Sequence, residues 1–256
     1  MSDQQSLINV TAPKFLENAL SEPAKEVGHT LANIFHVVFG PINYPIEKYR
    51  LRQSMNLKKY EEAIQNQLNK VPEENITEPS LNVVGPALEA SKFYIEETDL
   101  REMFAKLIAA SMDNRISDKV QPSFVEIIKQ LTSLDAKNIE VISNGANMPI
   151  VKYRIQFPST GGSVPFMDHV FLENQITQDL RLIGTSIANI QRLGIVDVDY
   201  GTTLSDNTRY EKFKHTQEFQ ALTQSTKTTE DRIAVIHQGV VNITPYGQEF
   251  VKICVK

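Results

Sequence analysis

The stretch Arg232-Ile-Ala-Val-Ile-His237 holds the most suggestive pair of reactive side chains in the sequence. At this spacing on a helix, an arginine and a histidine can converge on one phosphate, as in some ribonuclease toxins. The residues between them are Ile, Ala, Val and Ile, which favour a strand. Five steps along a strand place two side chains on opposite faces. Asp197 and Asp199 could pair as metal ligands or as acid and base. They alternate with Val196 and Val198, however, which is the pattern of a half-buried strand with a wet outer face. His29 and His36 are seven residues apart on one predicted helical face. A metal-binding pair on a helix needs a spacing of three or four, and no third ligand stands at useful distance. Gly161-Gly162 lacks the Lys-Ser/Thr that completes a phosphate-binding loop. Cys254, the only cysteine, has no placed histidine partner and reads as core packing. No catalytic residue, metal ligand set or cofactor motif emerges, and no small-molecule substrate is evident. The expectation is a protein that is not an enzyme, with a cryptic nuclease as the remotest alternative.

The composition bounds the remaining classes. The chain has 256 residues, 41% of them hydrophobic and 22% charged, enough to bury a sizeable core. A formal net charge of −5 argues against a dedicated nucleic-acid binder. A single cysteine fits a reducing compartment. The opening MSDQQSLINVTAPK has neither a basic region nor an apolar run, so no secretory signal is expected. No run reaches the ~18–20 apolar residues of a membrane span. These features predict a cytoplasmic protein, with peripheral contact at the inner membrane as an alternative.

The elements that would position any site fall into two groups. Residues 1–117 read as a helical domain. A stripe of apolar residues from Pro13 to Phe39 predicts helix, with Pro23 as a break and Gly40-Pro41 as the stop. Tyr44–Asn69 and Leu81–Tyr94 read as helices. Asp99, with Glu102 three residues on, predicts a capped helix whose stripe of Leu100, Met103, Phe104, Leu107, Ile108 and Met112 is the best-specified core of this half. Residues 118–256 read as a winged-helix-like α+β module. It contains short helices over Pro122–Leu131 and Ser133–Val141, a strand over Val151–Phe157, a helix over Asn174–Leu193 stopped by Gly194, strands over Ile195–Tyr200 and Arg232–Ile243, and a terminal helix capped by Thr244-Pro245. The last two strands would pair as a two-stranded wing. The fold class is therefore mainly α, a helical region followed by a winged-helix-like module, and residues 118–256 should fold alone.

Two surfaces could carry function. In a winged helix the helix before the wing reads DNA. Here it offers only Arg181 and Arg192, and the following strand carries Asp197 and Asp199, which repel phosphates. Contact with a protein, or self-association, is preferred to DNA binding. The second surface is the segment Leu31, Ile34, Phe35, Val38 and Phe39, apolar nearly all round and followed by Lys48, Arg50, Arg52, Lys58 and Lys59. That is either a filler between helices, the preferred reading, or a wedge for an anionic membrane.

Four stretches carry a family resemblance: Lys25–Ile42, Ile76–Ala90, Leu100–Met112 and Pro122–Leu131. Together they resemble the abortive infection alpha family of bacteria. The likeness runs from about residue 20 onward and is most specific over residues 76–136. The resemblance implies a role in phage defence and supplies no catalytic residue. The expected function is a non-enzymatic defence protein acting through protein contacts. The alternatives are a winged-helix transcriptional regulator and a membrane-damaging effector.

Overall fold

The computed structural model describes residues 13–40 and 47–256; Pro41 and Tyr44, named above, lie outside them, as do the side chains of Lys48 and Arg50. The chain is mainly helical with one four-stranded antiparallel sheet. It divides into two compact units, Met1–Ser133 with Lys252–Lys256, and Leu134–Val251. The division therefore comes later than residue 117, and residues 118–133 and 252–256 group with the helices of the first unit.

The first unit holds α1 (Glu22–Phe39), α2 (Glu47–Leu68), α3 (Leu81–Ser91), α4 (Thr98–Ser111) and α5 (Ser123–Ile128). Pro23 does not break a helix here. It stands in the first turn of α1, where its missing N–H costs nothing. The Ser21 side chain makes no cap. Instead the Glu73 carboxylate accepts from the backbone N–H of Leu20 and Ser21, at 2.8 and 2.9 Å. The N-terminus of α1 is thus held by an anion from a distant loop. Gly28 faces the Phe15 carbonyl so closely that a Cβ would sit 2.1 Å from that oxygen. Phe35 stacks on Phe39 at 4.5 Å between centroids and meets Phe15 and Tyr60 at 5.8 and 6.1 Å. Helix α4 packs against α2, α3 and α5 and is buried on nearly every side, as its apolar stripe predicts. It starts at Thr98, so Asp99 lies in its first turn and the N-cap position falls to Glu97, without a side-chain cap.

The second unit contains α6 (Ser133–Ser143, from Leu134 on), β1 (Met148–Gln156), β2 (Ser163–Val170), α7 (Leu180–Arg192), β3 (Val196–Asp199), a 3₁₀ helix over Asn207–His215, α8 (Gln217–Lys227), β4 (Ile233–Ile243) and α9 (Pro245–Phe250). The sheet order is β2-β1-β4-β3. β3 and β4 pair as expected, but within four strands, because β1 occupies the other edge of β4. Several boundaries move. Residues 174–179 are not helical, because the Asp179 carboxylate accepts from the N–H of Arg181 and Leu182 and starts α7 there. β2, the 3₁₀ helix and α8 are elements beyond those predicted from the sequence. Gly194 takes a positive φ of 74° and ends α7, and the Thr244 hydroxyl accepts from the Gly247 N–H to start α9.

Candidate functional site

The two faces of the sheet differ. Tyr153 of β1 is fully buried, with its hydroxyl donating to the Phe213 carbonyl and its ring against Phe219. That face is closed by the 3₁₀ helix and α8. Its neighbour Lys152 points to the opposite face. There Lys152 pairs directly with His237 of β4. On its other side it meets a bulge: Val151 pairs with Val170 and Tyr153 with Met167, so Asp168 and His169 together oppose Lys152. His169 sits at φ 53°, in the left-handed region that a histidine seldom occupies. Tyr200, just past β3, completes the group. Its ring lies 6.1 Å from the His169 ring and 5.7 Å from the His237 ring. The Lys152 ammonium stands 4.0 Å above the Tyr200 ring centre.

Two glycines make room. A Cβ on Gly239 would lie 2.6 Å from Tyr200 Cδ1, so only glycine lets the ring rest on β4. A Cβ on Gly184 of α7 would lie 2.9 Å from the Asp168 carbonyl oxygen, so α7 can approach the bulge.

Hydrogen bonding sets the protonation. The Tyr200 hydroxyl and His169 Nδ1 are 3.1 Å apart. Which of the two donates is set by which ring nitrogen of His169 carries the hydrogen: with it on Nε2 the phenol donates to Nδ1, and with it on Nδ1 the phenol accepts. Burial lowers the His169 pKa, opposed by Asp168 and assisted by Lys152, so the ring is neutral near pH 7. Burial raises the Tyr200 pKa above the tyrosine range, and it stays a phenol. Lys152 is 3.9 Å from the Asp168 carboxylate.

The family model for abortive infection alpha matches residues 52–254. The chain belongs to the abortive infection alpha family. Comparison with curated proteins and with solved structures finds no match. The match covers the stretches at Ile76–Ala90, Leu100–Met112 and Pro122–Leu131, while Lys25–Ile42 lies before it. It also takes in every residue of the Tyr200 cluster, though the family name assigns none of them a role.

The residues singled out from the sequence of this abortive infection alpha protein are placed as follows. Leu31, Phe35 and Phe39 are buried in the first unit, while Ile34 and Val38 are half-buried on the flank of α1. The segment is a core filler because its rings stack on one another and on Tyr60; a membrane wedge would need them at the surface. Val37, in the same run, is 73% exposed, so α1 does keep an outer face. Among the described residues no helix is long and apolar enough to cross a membrane. Arg181 and Arg192 are exposed on α7, and Arg192 donates to Asn189 at 2.7 Å. Asp197 and Asp199 are exposed, as the alternation predicts. Arg232 precedes β4 and stacks on Phe157, about 16 Å along the strand from His237. Cys254 is fully buried, and burial pushes its thiol well above the usual range. Sequence reasoning missed Lys152, His169 and Tyr200. Gly239, inside a strand rich in Ile and Val, is the available signal of a close approach.

A second polar cluster is buried in the same unit. Ser186 of α7 donates to Asp135 of α6 and accepts from Asn138 at 2.8 Å. Asn174 donates to Asn138, and Asn189 donates to Asp135. These groups satisfy one another and tie α6 to α7.

Proposed function

We propose that this abortive infection alpha protein serves phage defence by contacting another protein, without catalysis, and that the outer face of α7 makes the contact. The observation that carries the defence role is the family match across residues 52–254. Contact is supported over catalysis by where the reactive groups stand. The Cys254 thiol is buried and held protonated. Ser186 and Asp135 are buried within a network of asparagines. Arg232 and His237 are held apart by the strand between them.

The outer face of α7 has the character of a docking surface. Arg181 and Arg192 are eleven residues apart in sequence, about 16 Å along the helix and about 20° around it. Thr185 and Ala188 lie exposed between them, and Leu182 beside Arg181 is 51% exposed. Two cations framing small and apolar side chains suit an acidic protein surface. Duplex DNA suits this face less well, because Arg192 is already engaged by Asn189 and the strand leaving α7 carries Asp197 and Asp199. The pairing of β3 with β4 between α7 and α9, with the 3₁₀ helix and α8 inserted between the two strands, supports the winged-helix-like description of this part.

The test is phage challenge of cells expressing the intact protein or the double variant Arg181→Glu, Leu182→Asp. Protection is expected from the first and a loss of at least about tenfold from the second, with equal soluble protein. Full protection by the double variant would overturn the assignment of the face, and absence of protection by the intact protein would overturn the role.

A further inference from the structure

We propose that the group formed by Lys152, His169, Tyr200 and His237 binds the phosphate of a nucleotide. This site lies on the sheet and is independent of the α7 contact face.

The case starts from what the cluster can offer a ligand. The Tyr200 hydroxyl and His169 Nδ1 are committed to each other at 3.1 Å. In the tautomer in which the phenol donates, His169 carries its hydrogen on Nε2 and offers it as a donor. Lys152 presents an ammonium whose nearest carboxylate, Asp168, is 3.9 Å away, beyond ordinary hydrogen-bond length. His237 is exposed, lies beside the Tyr200 ring and opposite Lys152 in the β1–β4 pairing, and adds a second imidazole on the same face. Arg154, two residues along β1 and therefore on that face, donates to Ser163 at 3.0 Å and flanks the group. Cationic and N–H groups outnumber the one carboxylate at the site, Asp168, 3.9 Å from Lys152. A ligand that matches this balance must be rich in acceptor oxygens, and a phosphate, with its several lone pairs, accepts from several such donors at once.

The aromatic content narrows the choice to a nucleotide. The exposed His237 ring, 5.7 Å from Tyr200 and tilted 49° to it, offers one aromatic face beside the donors, and a base can stack there while its phosphate meets Lys152. The group is also built in advance. His169 is kept in the left-handed region by the bulge, and Tyr200 is seated on Gly239 where any side chain would collide. Preorganisation of this kind lowers the ordering cost of binding. The phosphate could belong to a free mononucleotide or to a single strand; both present the same chemistry to these donors.

Titration of the full chain at low salt distinguishes the sources, with the imidazole NMR signals of His169 and His237 as the readout. The probes are AMP and UMP, short oligouridylate and oligothymidylate strands, and adenosine as a phosphate-free control. AMP and UMP are expected to shift both histidines, and adenosine to shift neither. Lys152→Met should weaken binding by about tenfold, the loss of one charge-assisted contact. Tyr200→Phe should weaken it while leaving the melting curve cooperative, since the ring is retained. Strands that bind far more tightly than mononucleotides, with affinity falling as salt rises, identify a strand as the source; equal affinities identify the free nucleotide. The proposal is overturned if no probe moves either histidine, if adenosine acts as strongly as AMP, or if Lys152→Met binds like the unaltered chain.

Discussion

Glu61 lies half-buried on α2, beside Glu62 and near Lys58. Burial, with repulsion from Glu62, raises its pKa from 4.5 to about 7. A carboxyl whose pKa rises on folding favours the folded state while it is protonated. Its contribution is intact below pH 4.5 and is lost as the pH climbs through about 7. Glu61→Gln should therefore raise the melting temperature at pH 8 and leave it unchanged at pH 4 (two-state thermal melts at both values give the answer). Because the group is partly in water, the gain at high pH should be about 1 kcal/mol, well below what the full shift implies. Equal melting temperatures at pH 8 would show that the charge is fully solvated.

At the scale of elements, the α6–α7 tie and the aromatic stack of α1 make separate predictions. Ser186→Ala removes both a donor to Asp135 and an acceptor for Asn138 in a dry setting. The expected loss is about 1–3 kcal/mol in urea unfolding, and a neutral change would mean that water replaces the hydroxyl. Phe35→Asp buries an unpaired charge among Phe15, Phe39 and Tyr60 and should cost more than about 4 kcal/mol. A variant that remains as stable as the parent would put the segment at the surface after all. These elements also mark what the sequence made legible. Gly194, Thr244-Pro245 and the α4 stripe act within one or two turns, so their signals are local and legible in the sequence. β2 was not readable: Pro165 interrupts it and its register shifts twice against β1, so no alternation survives. α8 is short and largely polar, and only the sheet beneath gives its few apolar residues a purpose. The candidate site failed for a related reason. Lys152, His169, Tyr200 and His237 come from four separate stretches, and only the long-range pairing of β1 with β2 and β4 brings them together.

For the whole molecule, the grouping of Lys252–Lys256 with the first unit has a consequence for the second. The Lys106 ammonium donates to the Val255 carbonyl, and Cys254 is sealed from solvent. Residues 134–251, 118 in all, are thus a loop whose two ends are both held by one folded body. If the second unit unfolds while the first stays folded, its disordered chain is a tethered ring with fewer conformations than a free chain. The effect is that of a cross-link, without a covalent bond. For a loop of this length an ideal link is worth about 4–5 kcal/mol. The same sequence cut out as residues 134–251 should keep its cooperative transition yet lose a large part of that margin, and faster hydrogen exchange of the β1 and β4 amides would reveal it. Equal exchange in the fragment and the full chain would mean that the two ends are not held.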